Sequence, residues 1–388
     1  MLRSFTIEDF HAEIIPKSTL LKVLTYIDRE KIQTPFILID TEKIKENISI
    51  IGKSIHNSKV FYALKANPDV AIAGLVNEQQ IGFEIASEGE LKILSSLDIG
   101  PSRIISSNPM KSVKFLEMAA DYGVKYFAFD SYDEVEKIVK YAPGSYVYVR
   151  LSVPNEGSEW PLSKKFGVEI EEAVGLLSHA RHKGLTPVGV TFHVGSQCKN
   201  PYNWNIAIDK AKILWDRAER KGIKLTLLNI GGGYPINYRK IEINIEEIER
   251  NINKLISEKF SEKLEVHIEP GRAVVGDAGV LVSSIIGKAK RYDEDWLHID
   301  VGVFNGLMES LGGIRYTYII ESYKPNDGEK KRWTIAGPSC DSFDVIDRNV
   351  PLPEPDVGCL ILILSSGAYT ASYASEFNGF SIPKNILI

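Results

Sequence analysis

The sequence predicts an α/β protein in which a (β/α)8 TIM barrel is joined to a C-terminal antiparallel β-sandwich or β-barrel domain that also takes an N-terminal strand. Three observations predict this fold. The chain has 388 residues, more than a single hydrophobic core normally supports. Eight short apolar runs alternate with stretches of helical spacing between residues 59 and 269. From about Asp277 onward, polar loops separate the apolar runs instead.

The eight apolar runs are rich in valine, isoleucine, phenylalanine and tyrosine, which is typical of parallel strands buried on both faces. They lie at 59–64, 82–86, 103–106, 126–129, 146–151, 188–194, 225–230 and 265–268. Eight strand–helix units in series favour a closed barrel. A doubly wound open sheet is the alternative that this pattern leaves open.

The stretches between the runs have apolar residues three or four positions apart, which predicts amphipathic helices. In the clearest stretch, Ile245, Ile248, Ile252 and Leu255 form one face, and charged residues lie between them. The other stretches are 88–96, 113–122, 134–141, 171–183 and 204–221. Each would return the chain to the start of the next parallel strand.

A separate β domain is predicted after the barrel. Its apolar runs are 280–286, 296–301, 333–335 and 359–364. The segment 34–40 reads as a further strand, which precedes the barrel and could join the same sheet. The predicted bounds are therefore 41–276 for the barrel, and 1–40 with 277–388 for the β domain.

Composition excludes several classes of function. The net charge of -5 and the pI near 5.9 give no basic surface for nucleic acid. Cys198, Cys340 and Cys359 are widely spaced and form no C-x-x-C pair, which argues against a zinc site or a disulfide scaffold and favours a reducing cytoplasm. The amino terminus has no apolar core of signal-peptide length, and the run 359–364 is too short to span a membrane. We expect a cytoplasmic protein without a metal ion.

Polar residues at the carboxyl ends of the predicted strands are the functional candidates, because the active site of a (β/α)8 barrel lies there. Lys65 follows the first run. Partial desolvation at such a position lowers the pKa of an ammonium group and produces a nucleophilic amine. Most strand-end lysines instead extend to water. The other candidates are Glu84, Ser107, Asn108, Asp130, Arg150, His193, the glycines 231–233 and Glu269.

Glycine-containing turns follow the seventh and eighth strands. The glycines 231–233 lack Cβ atoms, so backbone N–H groups could approach an anion closely. The turn 269–272 adds a further glycine and the guanidinium of Arg272. The loops after strands seven and eight frequently bind phosphate in this fold. Taken alone, the glycine run could also be a flexible loop.

A phosphate site, a reactive lysine and a carboxylate at one barrel mouth indicate pyridoxal 5′-phosphate as the cofactor. Lys65 would bond covalently to the cofactor. Glu269 would hold its ring nitrogen protonated, so that the ring draws electrons from the substrate Cα. His193 could stack on the ring, although an isolated histidine in an apolar run is more often a core residue.

The sequence resembles the fold type III (alanine-racemase-fold) pyridoxal-phosphate decarboxylases that act on basic amino acids. Within that family it resembles the shorter bacterial ornithine decarboxylases. The resemblance extends over nearly the whole chain, from residue 34 to residue 380. It rests on the motifs FYALKANP at 61–68, FHVGS at 192–196, GGGYP at 231–235, EPGR at 269–272, GPSCDS at 337–342 and GAYT at 367–370.

The resemblance implies a role for each of these residues. Lys65, His193 and Glu269 act on the cofactor as described above, and Cys340 returns a proton to Cα after carbon dioxide leaves. The implied cofactor-binding residues are Lys65, Glu84, Arg150, His193, Ser196, Gly232, Gly233, Glu269, Gly271, Arg272 and Tyr369. Ser196, Gly233, Arg272 and Tyr369 would bind the phosphate, and Arg150 would lie beneath the cofactor.

The implied substrate-binding residues are Asp341, Glu309 and Tyr369, with Asp341 holding the distal ammonium and Glu309 assisting it. Without the resemblance, Cys340 would read as a small packed hydrophobe and Asp341 as a turn residue. The resemblance also implies a homodimer whose active sites are shared across the interface. The charge and the apolar run lengths described above argue against a nucleic acid or membrane partner.

The implied reaction is the decarboxylation of a basic L-amino acid, most directly of L-ornithine to putrescine and carbon dioxide. The Cys340–Asp341 pair favours ornithine over diaminopimelate, whose decarboxylases usually have Cys-Glu here. The segment 301–310 departs from the eukaryotic pattern, which leaves the length of the diamine open. Alternative substrates are lysine, a D-amino acid, carboxynorspermidine, diaminopimelate and an intermediate of siderophore or secondary metabolism. A racemase and a catalytically silent regulatory homologue are further alternatives.

Overall fold

A computed structural model describes residues 5, 7–30, 32–160, 165–239, 244–321 and 330–388. The chain divides into two compact units. The barrel unit comprises 47–235 and 243–271, and the β unit comprises 1–46, 236–242 and 272–388. Residues 41–46, 236–242 and 272–276 therefore group with the β unit, whereas the sequence-based bounds include them in the barrel.

The described strands, in chain order, are β1 (Phe36–Ile39), β2 (Ser58–Ala63), β3 (Gly82–Glu84), β4 (Ile104–Ser106), β5 (Tyr126–Phe129), β6 (Tyr146–Arg150), β7 (Ser158–Trp160), β8 (Thr186–Thr191), β9 (Ser196–Cys198), β10 (Leu227–Asn229), β11 (Glu265–Ile268), β12 (Gly279–Arg291), β13 (Glu294–Ile299), β14 (Tyr318–Ile320), β15 (Lys331–Ala336), β16 (Val345–Leu352), β17 (Leu360–Ile363) and β18 (Lys384–Leu387). The described helices are α1 (His11–Ile14), α2 (Lys17–Arg29), α3 (Thr41–Ile50), α4 (Val70–Glu78), α5 (Glu88–Ser96), α6 (Val113–Tyr122), α7 (Tyr132–Tyr141), α8 (Ile170–His182), α9 (Tyr202–Arg220), α10 (Ile245–Lys259) and α11 (Arg272–Val275).

The barrel unit is a closed sheet of parallel strands. Its order is β2-β3-β4-β5-β6-β8-β10-β11, and β11 pairs with β2 to close the ring. These strands are the eight runs found in the sequence, so the predicted (β/α)8 barrel is confirmed. The open-sheet alternative is wrong, because closure leaves no strand edge.

The inner face of the barrel can be identified from contacts between strands that are not neighbours. Ala128 on β5, Tyr148 on β6 and Leu227 on β10 are buried in one cluster. Since β5 and β10 are separated by two other strands in the ring, their side chains meet across the interior. Side chains two residues apart share a face of a strand. Arg150 and Asn229 therefore follow Tyr148 and Leu227 on the inner side, at the carboxyl end.

Short polar side chains begin several barrel helices. Ser87, Ser112 and Ser131 precede α5, α6 and α7, and each accepts a hydrogen bond from a backbone N–H three residues later. Such caps satisfy N–H groups that have no partner within the helix. The predicted stretches 88–96 and 113–122 match α5 and α6, and the other four overlap α7 to α10. Helices α2, α3 and α4 were not predicted.

The barrel unit also contains an unpredicted two-stranded sheet. β7 follows β6, β9 follows β8, and the two pair antiparallel. Each has only three residues, too few for an alternating pattern to be read from sequence. This sheet joins the loops that leave two barrel strands at their carboxyl ends.

The β unit contains a mixed sheet that is mostly antiparallel. Its path is β14-β17-β12-β13-β15-β16. β1 adds to β12 in antiparallel fashion and to β18 in parallel fashion, and β13 pairs parallel with β15. The prediction that the segment 34–40 joins this sheet is confirmed. The two parallel pairs, β1–β18 and β13–β15, depart from the predicted antiparallel pattern. In each pair the strands are far apart in the chain, so the connecting segment is long enough for the second strand to run in the same direction as the first.

The core of the β unit lies between the sheet and α2. Leu20, Val23 and Ile27 on one face of α2 are buried with Phe36 and Leu38 of β1. Spacing of three and four residues places the three α2 side chains on one stripe. Among the described residues, no helix is long and apolar enough to cross a membrane.

The close approach of β8 to β10 requires a glycine at position 189, which gives a test of the fold. Gly189 on β8 is the register partner of Leu227 on β10, and a Cβ at Gly189 would lie 2.2 Å from the Leu227 carbonyl oxygen. Because backbone must move to relieve this clash, we expect Gly189→Ala to lower the free energy of unfolding by about 3 kcal/mol. Urea denaturation followed by circular dichroism measures the change.

Gly74→Ala is the matched control for this substitution. Gly74 lies in α4, and nothing lies within 4 Å of the added Cβ. The control should be neutral or stabilising by up to about 1 kcal/mol, because alanine favours helix over glycine. Equal stability of the two variants would contradict the tight approach of β8 to β10.

Candidate active site

Lys65 and Glu84 follow neighbouring barrel strands and lie side by side. Lys65 is in a short 3-10 turn directly after β2, and Glu84 is the last residue of β3. Lys65 Nζ is 3.4 Å from Glu84 Oε2. The Lys65 side chain is 48% exposed, whereas that of Glu84 is 2% exposed. The expected partial desolvation of Lys65 is therefore slight in this structure, and its amine is accessible at the barrel mouth.

Glu269 is a buried carboxyl at the end of β11. Its Oε1 accepts hydrogen bonds from Asn229 Nδ2 at 2.5 Å and from the Ser107 hydroxyl. Burial, reinforced by the negative charge of Glu84, raises the pKa of Glu269 to about 7. The hydrogen bonds oppose that rise, because they stabilise the ionised form. Within the part of the chain that the structure describes, no cation forms an ion pair with Glu269, and a pKa of about 7 leaves both its charged and its neutral form populated near neutral pH.

A chain of hydrogen bonds fixes the Glu269 carboxyl. The Ser107 proton goes to Glu269, so at the 2.7 Å contact between Ser107 Oγ and Tyr148 Oη the tyrosine donates. Burial raises the pKa of Tyr148 well above its usual value, which keeps this donor protonated. Asn229 is itself oriented by the Gly231 N–H, which donates to its Oδ1 at 2.9 Å.

Sequence reasoning missed Asn229 and Tyr148 as site residues. Asn229 directly precedes the strand-end glycines, and Tyr148 lies two residues before Arg150 on the same strand face. That two-residue spacing was the available signal. It becomes informative only when the inner face of the strand is known.

His193 follows β8 and is held as a neutral imidazole. The Gly195 N–H donates to its Nδ1 at 3.0 Å, so the ring proton of the neutral form is on Nε2. Burial lowers the pKa of His193 well below its usual value, and the positive charges of Arg150 and Lys65 lower it further. A neutral ring avoids placing another cation beside the lysine.

Arg150 ends β6 and supplies the second cation of the barrel mouth. Its guanidinium carbon is 5.4 Å from the centroid of the Phe166 ring, within the range of a cation–π interaction. Asp130, another strand-end candidate, accepts a hydrogen bond from the Gly167 N–H at 2.8 Å. Asp130 therefore holds the loop that carries Phe166.

The glycines 231–233 are required by neighbouring backbone. A Cβ at Gly231 would lie 2.4 Å from the Phe192 carbonyl oxygen, and one at Gly232 would lie 2.4 Å from the Glu269 carbonyl oxygen. Gly231 and Gly233 also have positive φ angles of 65° and 101°, which disfavour other residues. Ser196 lies in β9, next to the loop that includes Gly195. The glycine run is thus a tightly packed turn, and the flexible-loop reading is not supported.

In the β unit, Arg272 forms a buried two-point pair with Glu309. Nη1 donates to Oε2 at 2.7 Å and Nη2 donates to Oε1 at 2.6 Å. The Arg272 guanidinium carbon is 4.8 Å from the Tyr369 ring centroid. Tyr238, which the sequence did not single out, accepts a further hydrogen bond from Nη1. The sequence suggested Glu309 as a substrate ligand, but the structure pairs both of its oxygens with Arg272.

Cys340 and Asp341 lie in the loop after β15. Cys340 is exposed, and its thiol and its backbone N–H both donate to Asn378 Oδ1 at 3.3 Å. Asp341 Oδ1 accepts from the Phe343 N–H at 2.8 Å, which is a turn contact. Within the described residues, no group of three or more His, Cys, Asp and Glu side chains could hold a metal ion.

Comparison with known proteins decides the family. The family model described as pyridoxal-dependent decarboxylase, pyridoxal binding domain, matches residues 41–276. The chain belongs to the pyridoxal-dependent decarboxylases. The fold-type resemblance drawn from its motifs is thereby confirmed, and the chain is a carboxy-lyase that uses pyridoxal 5′-phosphate.

Individual relatives of this decarboxylase cover almost its full length. It is 37% identical over 359 residues to a lysine/ornithine decarboxylase of Selenomonas ruminantium, covering 92% of this chain and 90% of the relative. A solved lysine decarboxylase of Selenomonas ruminantium matches with a TM-score of 0.84 and 35% identity, covering 99% of this chain and 97% of that one. A Vibrio vulnificus lysine/ornithine decarboxylase complexed with putrescine matches with a TM-score of 0.85 and 29% identity, covering 95% and 98%.

The barrel mouth of the decarboxylase has the donor set that the cofactor needs. Lys65 offers an accessible amine, and neutral His193 offers an aromatic face without adding charge. Glu269 is buried with its pKa raised to about 7, and the positive charge of a protonated ring nitrogen beside it would favour its ionised form. These residues fit pyridoxal 5′-phosphate.

The raised pKa of Glu269 predicts a pH dependence of stability in the cofactor-free decarboxylase. In the unfolded chain the carboxyl titrates near 4.5, and in the folded chain its pKa is raised to about 7. Between these values the folded state keeps a proton that the unfolded state has released. The Glu269 proton therefore contributes fully to the free energy of unfolding below pH 4.5. That contribution is lost as the pH rises to about 7.

We expect Glu269→Gln, which is neutral at every pH, to remove this loss. The variant should be more stable than the wild type above pH 7 by roughly 3 kcal/mol, from about 1.4 kcal/mol per pKa unit. Urea denaturation between pH 5 and pH 8 checks it, with Glu78→Gln at an exposed position as control. An unchanged slope in Glu269→Gln would show that the carboxyl is not the group that titrates.

Proposed function

We propose that the chain decarboxylates a basic L-amino acid and that its best substrate is L-ornithine, giving putrescine and carbon dioxide. The arrangement of Lys65, Glu269 and His193 at one barrel mouth carries the proposal. It provides an accessible amine, a buried carboxyl poised between its charge states, and a neutral imidazole. The relatives support the substrate class, because they are named for lysine and ornithine. Lysine is the alternative substrate that the same names favour.

The bound cofactor would supply the electron-withdrawing ring that accepts the electrons left when carbon dioxide departs. Lys65 Nζ would hold the cofactor covalently and would yield its place to the substrate amine. Glu269 would become fully ionised beside the cationic ring nitrogen, since an adjacent positive charge favours the carboxylate. His193 would support one face of the ring, with its orientation set by the Gly195 N–H.

Residues of the β unit would complete the reaction. The Cys340 thiol would donate its proton to the carbon that has lost carbon dioxide. The Asp341 carboxylate would hold the distal ammonium of the substrate, and a single carboxylate suits a terminal ammonium. Arg272 and Tyr369, with Ser196 and the strand-end glycines 232, 233 and 271, would bind the phosphate.

We also propose a homodimer in which Cys340 and Asp341 serve the active site of the partner copy. Cys340 is exposed in the single chain, and a proton donor to a carbanion must be shielded from water in use. Phe343 lies three residues after Cys340, and Phe377 directly precedes Asn378, which contacts Cys340. Phe343 is 69% exposed and Phe377 is 41% exposed. Exposed aromatic side chains around a reactive group are typical of an interface.

A substrate panel tests the proposed specificity. Carbon dioxide release is measured from L-ornithine, L-lysine, L-arginine and diaminopimelate, and kcat/KM is compared. We expect the largest value for L-ornithine, a smaller one for L-lysine, and little release from the other two. A larger kcat/KM for any other member of the panel would contradict the assignment.

Lys65→Ala tests the covalent step. We expect the variant to lose turnover and the visible absorbance of the bound cofactor, since no other amine would form the bond. Lys59→Ala is the control, because Lys59 lies at the opposite end of the same strand and pairs with Glu265; it should keep both. Borohydride reduction of the wild type followed by peptide mapping should place the label on Lys65. A label on another residue, or activity in Lys65→Ala, would contradict the assignment.

A further inference from the structure

The Arg272–Glu309 pair in the β unit is buried on both sides. The Arg272 side chain is 3% exposed and that of Glu309 is 2% exposed. Arg272 begins α11, and Glu309 lies in the 3-10 turn Met308–Gly312. Two parallel N–H to oxygen bonds fix both the position and the plane of a guanidinium, which a single contact cannot do.

Among the described residues, Glu309 is the carboxylate that forms an ion pair with Arg272. Tyr238 and Tyr369 contribute rings at 5.8 Å and 4.8 Å from the guanidinium carbon. Aromatic faces stabilise a cation but do not neutralise it. Removal of the Glu309 carboxylate would take away both of these charge-assisted bonds, which would leave the position and plane of the guanidinium less firmly fixed.

The same geometry argues against a substrate role for Glu309. Each of its oxygens already accepts a charge-assisted bond from Arg272. A substrate ammonium would have to compete with both bonds in a buried position. Asp341 has one oxygen in a turn contact, and no arginine among the described residues pairs with it.

We propose that Glu309 is a positioning residue that holds the Arg272 guanidinium in place to bind the phosphate of the cofactor. This inference rests on the proposed role of Arg272 as a phosphate ligand. Binding is tighter when a long side chain is ordered before the ligand arrives, because binding then loses less conformational entropy. The negative charge of Glu309 opposes phosphate binding, so the sign of the effect in a variant distinguishes positioning from competition.

The test compares cofactors with and without a phosphate. Cofactor-free protein is titrated with pyridoxal 5′-phosphate and with pyridoxal, and the ratio of the two dissociation constants is measured. Glu309→Gln, which keeps the size of the side chain, should reduce the preference for the phosphorylated form about tenfold, or about 1.4 kcal/mol. The affinity for pyridoxal and the KM for the amino acid should change by less than about twofold. Glu309→Asp, which keeps the charge, should recover part of the preference.

Asp347→Asn is the matched control. Asp347 is a buried carboxyl in the same unit that pairs with the partly exposed Arg239, so its loss disturbs an arginine–carboxylate pair that does not involve Arg272. The preference for phosphate should be unchanged in that variant, even if its melting temperature falls. If Glu309→Gln does not fold, the comparison is made with Glu309→Asp. Its preference for pyridoxal 5′-phosphate over pyridoxal should be weaker than that of the wild type.

Three results would overturn the inference. Equal weakening of both cofactors would show a general structural role. Tighter binding of the phosphorylated form would show that Glu309 competes for Arg272. A higher KM for the amino acid with unchanged cofactor binding would show that Glu309 binds the substrate, as the sequence suggested. If Arg272→Met also leaves the ratio unchanged, the failure lies in the proposed phosphate role of Arg272 itself.

Discussion

The parallel pairing of β11 with β2 brings the two ends of the barrel sequence together, and the active-site arrangement depends on it. The N–H of Ala63, the last residue of β2, donates to the carbonyl of Pro270, which lies two residues beyond β11, at 3.0 Å. Lys65 and Glu269 therefore follow adjoining strands although they are far apart in the chain. Each further barrel strand adds its last residues to the same mouth, because all the strands are parallel. Closure thus converts a linear series of strand ends into one site.

Environment then gives the grouped residues different charge states. Glu269 is buried beside Glu84, which raises the pKa of Glu269 to about 7. His193 is neutral because burial and two nearby cations lower its pKa. The Lys65 side chain, at 48% exposed, remains in contact with water. An accessible amine, a buried carboxyl and a neutral imidazole are groups that would hold such a cofactor and tune its ring.

Two features first considered for the ligand also serve the protein itself. The glycines 231–233 approach neighbouring carbonyl groups so closely that no Cβ could be accommodated, so packing alone accounts for their presence. Arg272, considered for phosphate, is already paired with Glu309 inside the β unit. In both places, contacts within the protein itself fix the groups that were considered for the ligand. Such order reduces the entropic cost of binding.

Sequence alone determined the barrel strands, most of its helices, the strand-end residues and the family, because period, turn chemistry and motifs are local properties of the chain. It did not identify Asn229 and Tyr148 as partners in the Glu269 network. In strands buried on both faces, apolar residues face inward and outward alike, so the inner face cannot be read from the pattern. The sheet of β7 and β9 and the Arg272–Glu309 pair were also decided by tertiary structure. Both join segments distant in sequence, and only the pairing of the folded backbone brings those segments within bonding distance.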